Sequence, residues 1–338
     1  MAKFNGFVRQ NTAYESSEKI GVYNSKGKCV GKISLGGLVF PQLGERLYSF
    51  GALSDVHYQY STAADDFKRA LTFLNQEENV KFTCICGDLT ASGTEEELAE
   101  YKACVEAYSP NTPVYAISGN HEPRNADFLS VLETYTGHPL YYSFTFGDDV
   151  FIMVGVKADS VGNLFTTDEL QWLYETLEAN RNKRCFVFQH VRPDDACGNA
   201  FGVYGYDIWG GKEQIVFESL LRHYKNIVLF HGHSHLKFDM QLLFGKGANY
   251  DTTFGVHSVH IPSLAVPSTG DATGTSSYKY LFSCSEGYVI DVYKNHIVLK
   301  GRDFAEERFL PIANYCLDTT LNVVEANTFV DITGTITI

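Results

Sequence analysis

The sequence lacks several features that would have narrowed it to other classes of protein. It has eight cysteines (Cys29, Cys84, Cys86, Cys104, Cys185, Cys197, Cys284 and Cys316), and no two stand in a CxxC spacing. Several lie inside apolar runs such as "KFTCICGD" and "KRCFVFQH", the setting of buried free thiols in a reducing compartment rather than of a disulfide framework. No apolar stretch near the N-terminus is long enough for a signal peptide, and none elsewhere approaches the length of a membrane span. The expectation is a cytoplasmic protein without a membrane partner. Basic residues are scarce: 27 Lys and Arg stand against 40 Asp and Glu, for a formal net charge of -13. An acidic surface repels polyanions, so extended contact with duplex nucleic acid is disfavoured. Bound cations would reverse the field locally, so the argument is weaker near a metal site. Internal repeats and low-complexity tracts are absent.

What is present suits a large α/β domain. The 338 residues are 44% hydrophobic, enough for a sizeable core, and 24 Phe and 21 Tyr are available for packing it. Residues 1–46 read as an appendage: two short strands in "IGVYNSKGKCVGKISL" around the turn Asn24-Ser25-Lys26-Gly27, then a Gly- and Pro-containing linker. From Leu47 strands and helices alternate. "LYSFGALSD", "VKFTCICGD", "TPVYAISGN", "RCFVFQH" and "NIVLFHGHSH" read as strands. "AADDFKRALTFLNQ", "TEEELAEYKACVEAY" and "TTDELQWLYETLEAN" read as helices, with Thr94 an N-cap of the second. "YYSFTFGDDVFIMVGV" reads as a hairpin turning at Gly147-Asp148. "GYVIDVYKNHIVLKG" is another, turning at Lys294-Asn295. The partition expected is an appendage over 1–46, a catalytic domain over 47–313, and a tail over 314–338, β in character and packed on the domain.

The informative regularity is positional. Five apolar strands each end in a polar cluster: Asp55-Val56-His57, Gly87-Asp88, Gly119-Asn120-His121-Glu122, Gln189-His190 and Gly232-His233-Ser234-His235. In open α/β sheets the carboxyl ends of the strands are where ligands bind. Each cluster alone is a weak signal, because a His at a strand end is usually a satisfied polar residue. Their joint occurrence, in order and each directly after an apolar strand, is far more specific.

This ordered set resembles the calcineurin-like metallophosphoesterase family, whose pattern runs DxH, GDxx, GNHE or GNHD, an isolated His, then GHxH. The matching segments are "SDVH", "GDLT", "GNHE", "QHV" and "GHSH", spread over about Leu47 to Leu236. The resemblance implies an α/β four-layer αββα sandwich. It also implies two divalent or trivalent transition-metal ions (Mn, Fe, Zn or Co), with Asp55, His57 and His235 on the first, Asn120, His190 and His233 on the second, and Asp88 bridging them. Such a pair neutralises the charge of a phosphate ester, lowers the pKa of a bound water and aligns attack with departure. A ligand set without Cys suits these metals. His233 and His235 are two residues apart yet are assigned to different ions, so the backbone is expected to leave strand geometry there. In the family the position of His121 is not a ligand but contacts the phosphate and assists the leaving oxygen, tuned by a neighbouring carboxylate. Glu122 is next in sequence, and the sequence alone leaves open whether it touches His121.

Further residues carry two readings each. Gly87, Gly119 and Gly232 precede ligands and are expected to permit tight turns. His231 is read as supporting or packing rather than ligating. Arg192 is either a phosphate contact or an exposed guanidinium. In the loop after His190, Phe201, Tyr204, Tyr206 and Trp209 either stack on a substrate or pack the loop. His138, His223, His257, His260 and His296 lie outside every motif. "GDLT" and "GHSH" resemble phosphodiesterases of the cyclic-nucleotide type more than protein phosphatases, so a small phosphodiester is the substrate expected. The alternatives are a phosphomonoesterase or nuclease of the same family, or a non-catalytic scaffold.

Overall fold

The computed structural model describes residues 19–23, 29–34, 43–158, 164–193, 196–198, 211–240, 249–269 and 279–320. The expected turn at 24–27, the aromatic loop residues 201, 204, 206 and 209, and the last 18 positions, 321–338, lie outside the described residues. In chain order the first half comprises β1 (Lys19–Tyr23), β2 (Cys29–Ser34), β3 (Tyr48–Leu53), α1 (Ala63–Thr72), β4 (Thr83–Cys86), α2 (Glu95–Tyr108), β5 (Val114–Ile117), α3 (Phe128–Thr136), β6 (Tyr141–Phe146) and β7 (Asp149–Val154). Then come α4 (Thr167–Ala179), β8 (Cys185–Gln189), α5 (Gly211–His223), β9 (Ile227–His231), β10 (Tyr250–Asp251), β11 (His257–His260), β12 (Ser268–Thr269) and β13 (Lys279–Tyr280). The chain closes with β14 (Glu286–Val292), β15 (His296–Asp303), β16 (Arg308–Phe309) and β17 (Tyr315–Asp318).

Two sheets face one another. The first has the order β16-β15-β14-β3-β4-β5, with β17 also paired to β15; the second runs β10-β11-β9-β8-β7-β6. The centre of each is parallel: β3 to β4 to β5 in one, β7 to β8 to β9 to β11 in the other. Such strands are covered on both faces, which is why they read as continuous apolar runs instead of alternating patterns. The alternation is still there, but it sorts apolar residues between two apolar layers. On β7, Phe151 and Met153 enter the space between the sheets, while Val150, Ile152 and Val154 face the helices. On β8, Phe186 and Phe188 point inward and Cys185 and Val187 outward.

The layer between the sheets is built from rings. Phe50 stacks on Phe82 (centroids 5.4 Å, 11°) and meets Phe151 edge-on (5.3 Å, 89°), and Phe188 stacks on Phe230 (4.8 Å, 11°). Helices α1, α2 and α3 cover the outer face of the first sheet through Phe67, Leu71, Leu98, Tyr101 and Leu132. Helices α4 and α5 cover the second through Leu170, Leu173, Leu177, Phe217 and Leu221. The result is the αββα sandwich that the resemblance implies.

Local chemistry sets the boundaries. Thr94 and Thr166 open α2 and α4 with complete capping boxes, closed by Glu97 and Glu169. Gly147, at φ 60°, turns β6 into β7, and Lys294-Asn295 lies between β14 and β15. Two helices were not expected from the sequence. α3 follows the GNHE segment without a side-chain cap bond, and α5 begins at Gly211, soon after the loop residue Trp209. Cys84, Cys86, Cys104, Cys185, Cys197 and Cys284 are buried free thiols. No described helix is long and apolar enough to cross a membrane.

Candidate metal centre

The ends of β3, β4, β5, β8 and β9 converge on one edge of the sandwich. Loops knit them together by backbone hydrogen bonds that extend the parallel register: Asp55 N to Gly87 O (3.1 Å), His57 N to Asp88 O (3.0 Å) and Gly232 N to His190 O (2.9 Å). Five of the seven side chains expected to hold ions sit on left-handed backbone, with φ of 52° at Asp55, 43° at His57, 49° at Asp88, 69° at His233 and 56° at His235. The departure from strand geometry expected at His233 and His235 is therefore present, and it recurs at the ends of β3 and β4.

Two groups of ligand-type atoms result, each with its members within 4.8 Å of one another: Asp55, His57, Asp88 and His235 in one, Asp88, His190 and His233 in the other. Asp88 belongs to both. Its Oδ1 accepts the backbone N–H of His121 (2.9 Å). Its Oδ2 stands among the imidazoles, 3.2 Å from His190 Nε2 and 3.7 Å from His57 Nε2. Asp55 is divided similarly. Ser54 Oγ (2.6 Å) and His233 N (3.1 Å) donate to Oδ2, while Oδ1 lies 3.0 Å from His235 Nε2 and 3.8 Å from His57 Nε2. His57 Nε2 and His235 Nε2 face one another at 3.0 Å. Asn120 is buried next to Gly119, whose Cα lies against the Asp88 carboxylate.

This arrangement fits metal ions. His233 Nε2 is shut off from solvent with no hydrogen-bond partner, a costly state for a buried polar atom unless something else occupies it. Nitrogen and oxygen atoms 3–4 Å apart around a common point are spaced as ligands about 2.0–2.2 Å from one ion would be. The His190 Nδ1–H donates to Cys86 O (2.6 Å), which fixes the ring with Nε2 toward Asp88, the support that metal-binding histidines commonly receive.

Burial disfavours imidazolium at His57 and His233 and pushes each down to about 3, leaving the neutral form that binds metal. Burial also opposes ionisation of Asp55 and Asp88. The nearby imidazoles, His235 and His190 for Asp55, His190 and His121 for Asp88, outweigh it and hold both carboxyls below the usual range. At His190 the balance is reversed: burial would lower it, but the charges of Asp88 and Asp55 raise it to about 9.

His121 stands at the rim, in neither group. Its side chain is 13% exposed, and Nε2 is 3.7 Å from Asp88 Oδ2. Nδ1–H donates to the backbone carbonyl of Ala91 (2.6 Å), so the group that orients the ring is a carbonyl where a carboxylate was expected. Glu122 instead turns inward and accepts from Thr90 and Gly119.

Residues 48–237, more than half of the chain, match the calcineurin-like phosphoesterase family. The chain belongs to that family. Among curated proteins no sequence matches it. Of solved structures, the purple acid phosphatase PPD1 from yellow lupin (Lupinus luteus) seeds superposes with a TM-score of 0.56 at 14% identity over 80% of this chain and 53% of that one, a likeness of fold. The chain thus spans about half the length of that phosphatase. Vacuolar Protein Sorting 29 from Cryptosporidium parvum is a more distant likeness, with a TM-score of 0.39 and 12% identity over 81% of this chain and 100% of the other.

Of the three glycines that precede ligands in this family member, only Gly87 has positive φ (85°) and needs glycine's freedom. Gly119 and Gly232 provide clearance instead, since a Cβ would lie 2.1 Å from Asp88 Oδ1 in one and 1.9 Å from Ser54 Oγ in the other. His231 turns away from both groups, with Nε2 3.1 Å from Ser258 Oγ and 3.4 Å from Cys197 Sγ. Arg192 is buried rather than exposed, its Nη1 donating to Pro193 O.

Two residues at the site escaped the sequence reading. Tyr60 is 40% exposed and stacks on the His57 ring (5.1 Å, 22°). Arg124, also exposed, brings Nη1 to 3.1 Å from His121 Nδ1. Its place three residues after His121, on a short helical turn, was the one available signal.

Proposed function

We propose that the chain is a two-metal hydrolase of phosphoesters, with a small phosphodiester as substrate. Asp55, His57 and His235 would hold the first ion, Asn120, His190 and His233 the second, and Asp88 both. The observation that carries this reading is the position of Asp88 Oδ2, common to two groups of nitrogen and oxygen donors. Two bound ions supply positive charge at the phosphate and make water acidic enough to attack near neutral pH.

The chain's own residues do the rest. His121 donates Nδ1–H to Ala91 O, so the second proton of the charged ring would sit on Nε2 and be the one directed at the reacting ester. Water forms the new P–O bond and gives up a proton to solvent as the bond to the leaving oxygen breaks. That oxygen takes the Nε2 proton, and His121 recovers one from solvent. Arg124, exposed beside His121, is better placed to meet an ester's negative charge than the buried Arg192. The preference for a diester rests on "GDLT" and "GHSH" alone. The acidic charge argues against a duplex substrate, and the buried free thiols favour a reducing compartment such as the cytoplasm.

A panel of aryl phosphate mono- and diesters, run separately with Mn, Fe, Zn and Co, tests this, together with elemental analysis. The expected result is two ions per chain and a higher kcat/KM for the diester. A strong monoester preference under every metal rejects the diester reading. Two ions without turnover of any ester would point to a scaffold.

A further inference from the structure

The residues around the two loops that follow β4 and β5 form a clasp, and its centre is a carboxylate that performs none of the chemistry above. Glu122 is fully buried. Oε1 accepts from the backbone N–H of Thr90 (3.1 Å) and from Thr90 Oγ1 (3.0 Å), and Oε2 accepts from the backbone N–H of Gly119 (2.7 Å). Thr90 lies two residues after Asp88, and Gly119 lies one before Asn120. The Thr90 hydroxyl also accepts from Gly93 N (3.0 Å), and Asn125 Nδ2 donates to Gly93 O (3.2 Å). Gly93 packs so closely that a Cβ there would lie 2.5 Å from His121 O and 2.7 Å from Glu122 O.

We infer that Glu122 is a positioning residue for the metal centre: by binding Thr90 and Gly119 at once, it sets the distance between Asp88 on one loop and Asn120 and His121 on the other. The chemistry singles out a carboxylate. Three neutral donors approach from two sides, and only a group with acceptors at both ends receives them all. A carboxamide of the same shape would turn an NH2 toward an N–H on one side and lose that bond. Burying a carboxylate is expensive, and these donors offset part of that cost. The loops also meet through His121 N on Asp88 Oδ1, His121 Nδ1 on Ala91 O and Asn125 Nδ2 on Gly93 O, but among these bonds only those of Glu122 link the residue before Asn120 to the segment that follows Asp88.

The role rests on the two-ion reading, and the experiment separates the two. Glu122→Gln and Thr90→Val, in the full chain, are compared with the wild type by calorimetric titration with Mn2+. Hydrogen exchange of the Thr90 and Gly119 amides is followed in the metal-free proteins. Glu122→Gln should bind Mn2+ about 10–100-fold more weakly, the usual cost of losing a partner that orients ligands. Both amides should exchange faster, and added Mn2+ should restore much of the lost turnover. Thr90→Val removes one of the three bonds and should lose several-fold in affinity. Mn2+ affinity within twofold of wild type in a folded Glu122→Gln protein, or unchanged exchange at both amides, overturns the assignment. If Glu122→Gln does not fold, unchanged Mn2+ affinity in Thr90→Val overturns it instead. A wild type that takes up no ion overturns the two-ion reading and this role with it, whereas a wild type that binds ions beside an indifferent variant overturns the role alone.

Discussion

Replacing Gly119 by Ala adds one methyl group where the structure leaves no room for it. The Cβ would lie 2.1 Å from Asp88 Oδ1, 2.4 Å from Asp88 N and 2.8 Å from Asp88 Cγ. Non-bonded heavy atoms prefer roughly 3.5 Å or more, so a shift of more than about 1 Å is needed. Gly119 is not among the residues with positive φ, so Ala meets no backbone penalty there and the effect is purely steric. What must move is Asp88, both its backbone N and the carboxylate shared by both donor groups. Binding geometry tolerates about 0.5 Å, and a displacement of about 1 Å can cost about 100-fold in rate. Overpacking of this kind costs about 1–3 kcal/mol, a loss of several degrees in Tm. Gly137→Ala is the control. Gly137 has φ 75° but nothing within 4 Å of where a Cβ would stand, so it should lose about 1 kcal/mol and no metal affinity. Mn2+ titration, turnover of the best aryl ester and thermal unfolding read out all three quantities. Gly119→Ala with native Mn2+ affinity and native turnover would refute the reasoning, because Asp88 would then not be constrained as an ion bridge must be.

Asp88→Asn keeps the shape and removes the one negative charge that both donor groups share; both ions should bind more weakly by elemental analysis, with turnover down by orders of magnitude, and near-native turnover would mean the bridge is misassigned. His121→Ala should keep both ions and lose about 10²–10⁴ in rate, more for alkoxide leaving groups than for nitrophenolate. Loss of an ion would make His121 a ligand instead, and an equal loss for every leaving group would remove its role as proton donor. Ion binding should strengthen as pH rises toward 9, because His190, raised to about 9 in the metal-free protein, must release its proton to bind. The same shift, above the ordinary 6.5, stabilises the metal-free fold below pH 6.5 and is lost as pH climbs through 9. Calorimetry in buffers of different ionisation enthalpy counts the proton, and an affinity that is flat from pH 6.5 to 9 counts against this assignment.

The strands were legible because burial on both faces forces continuous apolar runs, and the helices α2 and α4 because Thr94 and Thr166 announce their first turns. α3 was not, since it opens without a side-chain cap bond that a sequence pattern could reveal, and α5 was not, since it starts on a glycine, a poor helix former. At the site, residue types carried the reading. What they could not carry was contact between distant segments. Gly119 and Gly232 need clearance because Asp88 and Ser54 arrive from other strands. The partner that orients His121 is the carbonyl of Ala91, and a carbonyl has no signature in sequence. Arg192 sits next but one to His190 yet is buried, its Nη1 bonded to Pro193 O.

The backbone at the site explains why those residue types are legible at all. On a straight strand Asp55 and His57 would lie on one face about 6.6 Å apart, too far to share an ion closely. The left-handed conformations at Asp55, His57, Asp88, His233 and His235 end the strands abruptly and fold their side chains back over the sheet edge. Each such residue costs roughly 1–2 kcal/mol for an ordinary side chain, and the conformation persists because neighbouring loops pin it, as Gly87 O does Asp55 N and Asp88 O does His57 N. Asp and His are among the few residues other than glycine that enter the left-handed region with some frequency. They are also the side chains that bind transition metals through oxygen and nitrogen. Backbone tolerance and ligand chemistry therefore select the same residues at the same positions, so that a short polar cluster after an apolar strand records both the turn and the site.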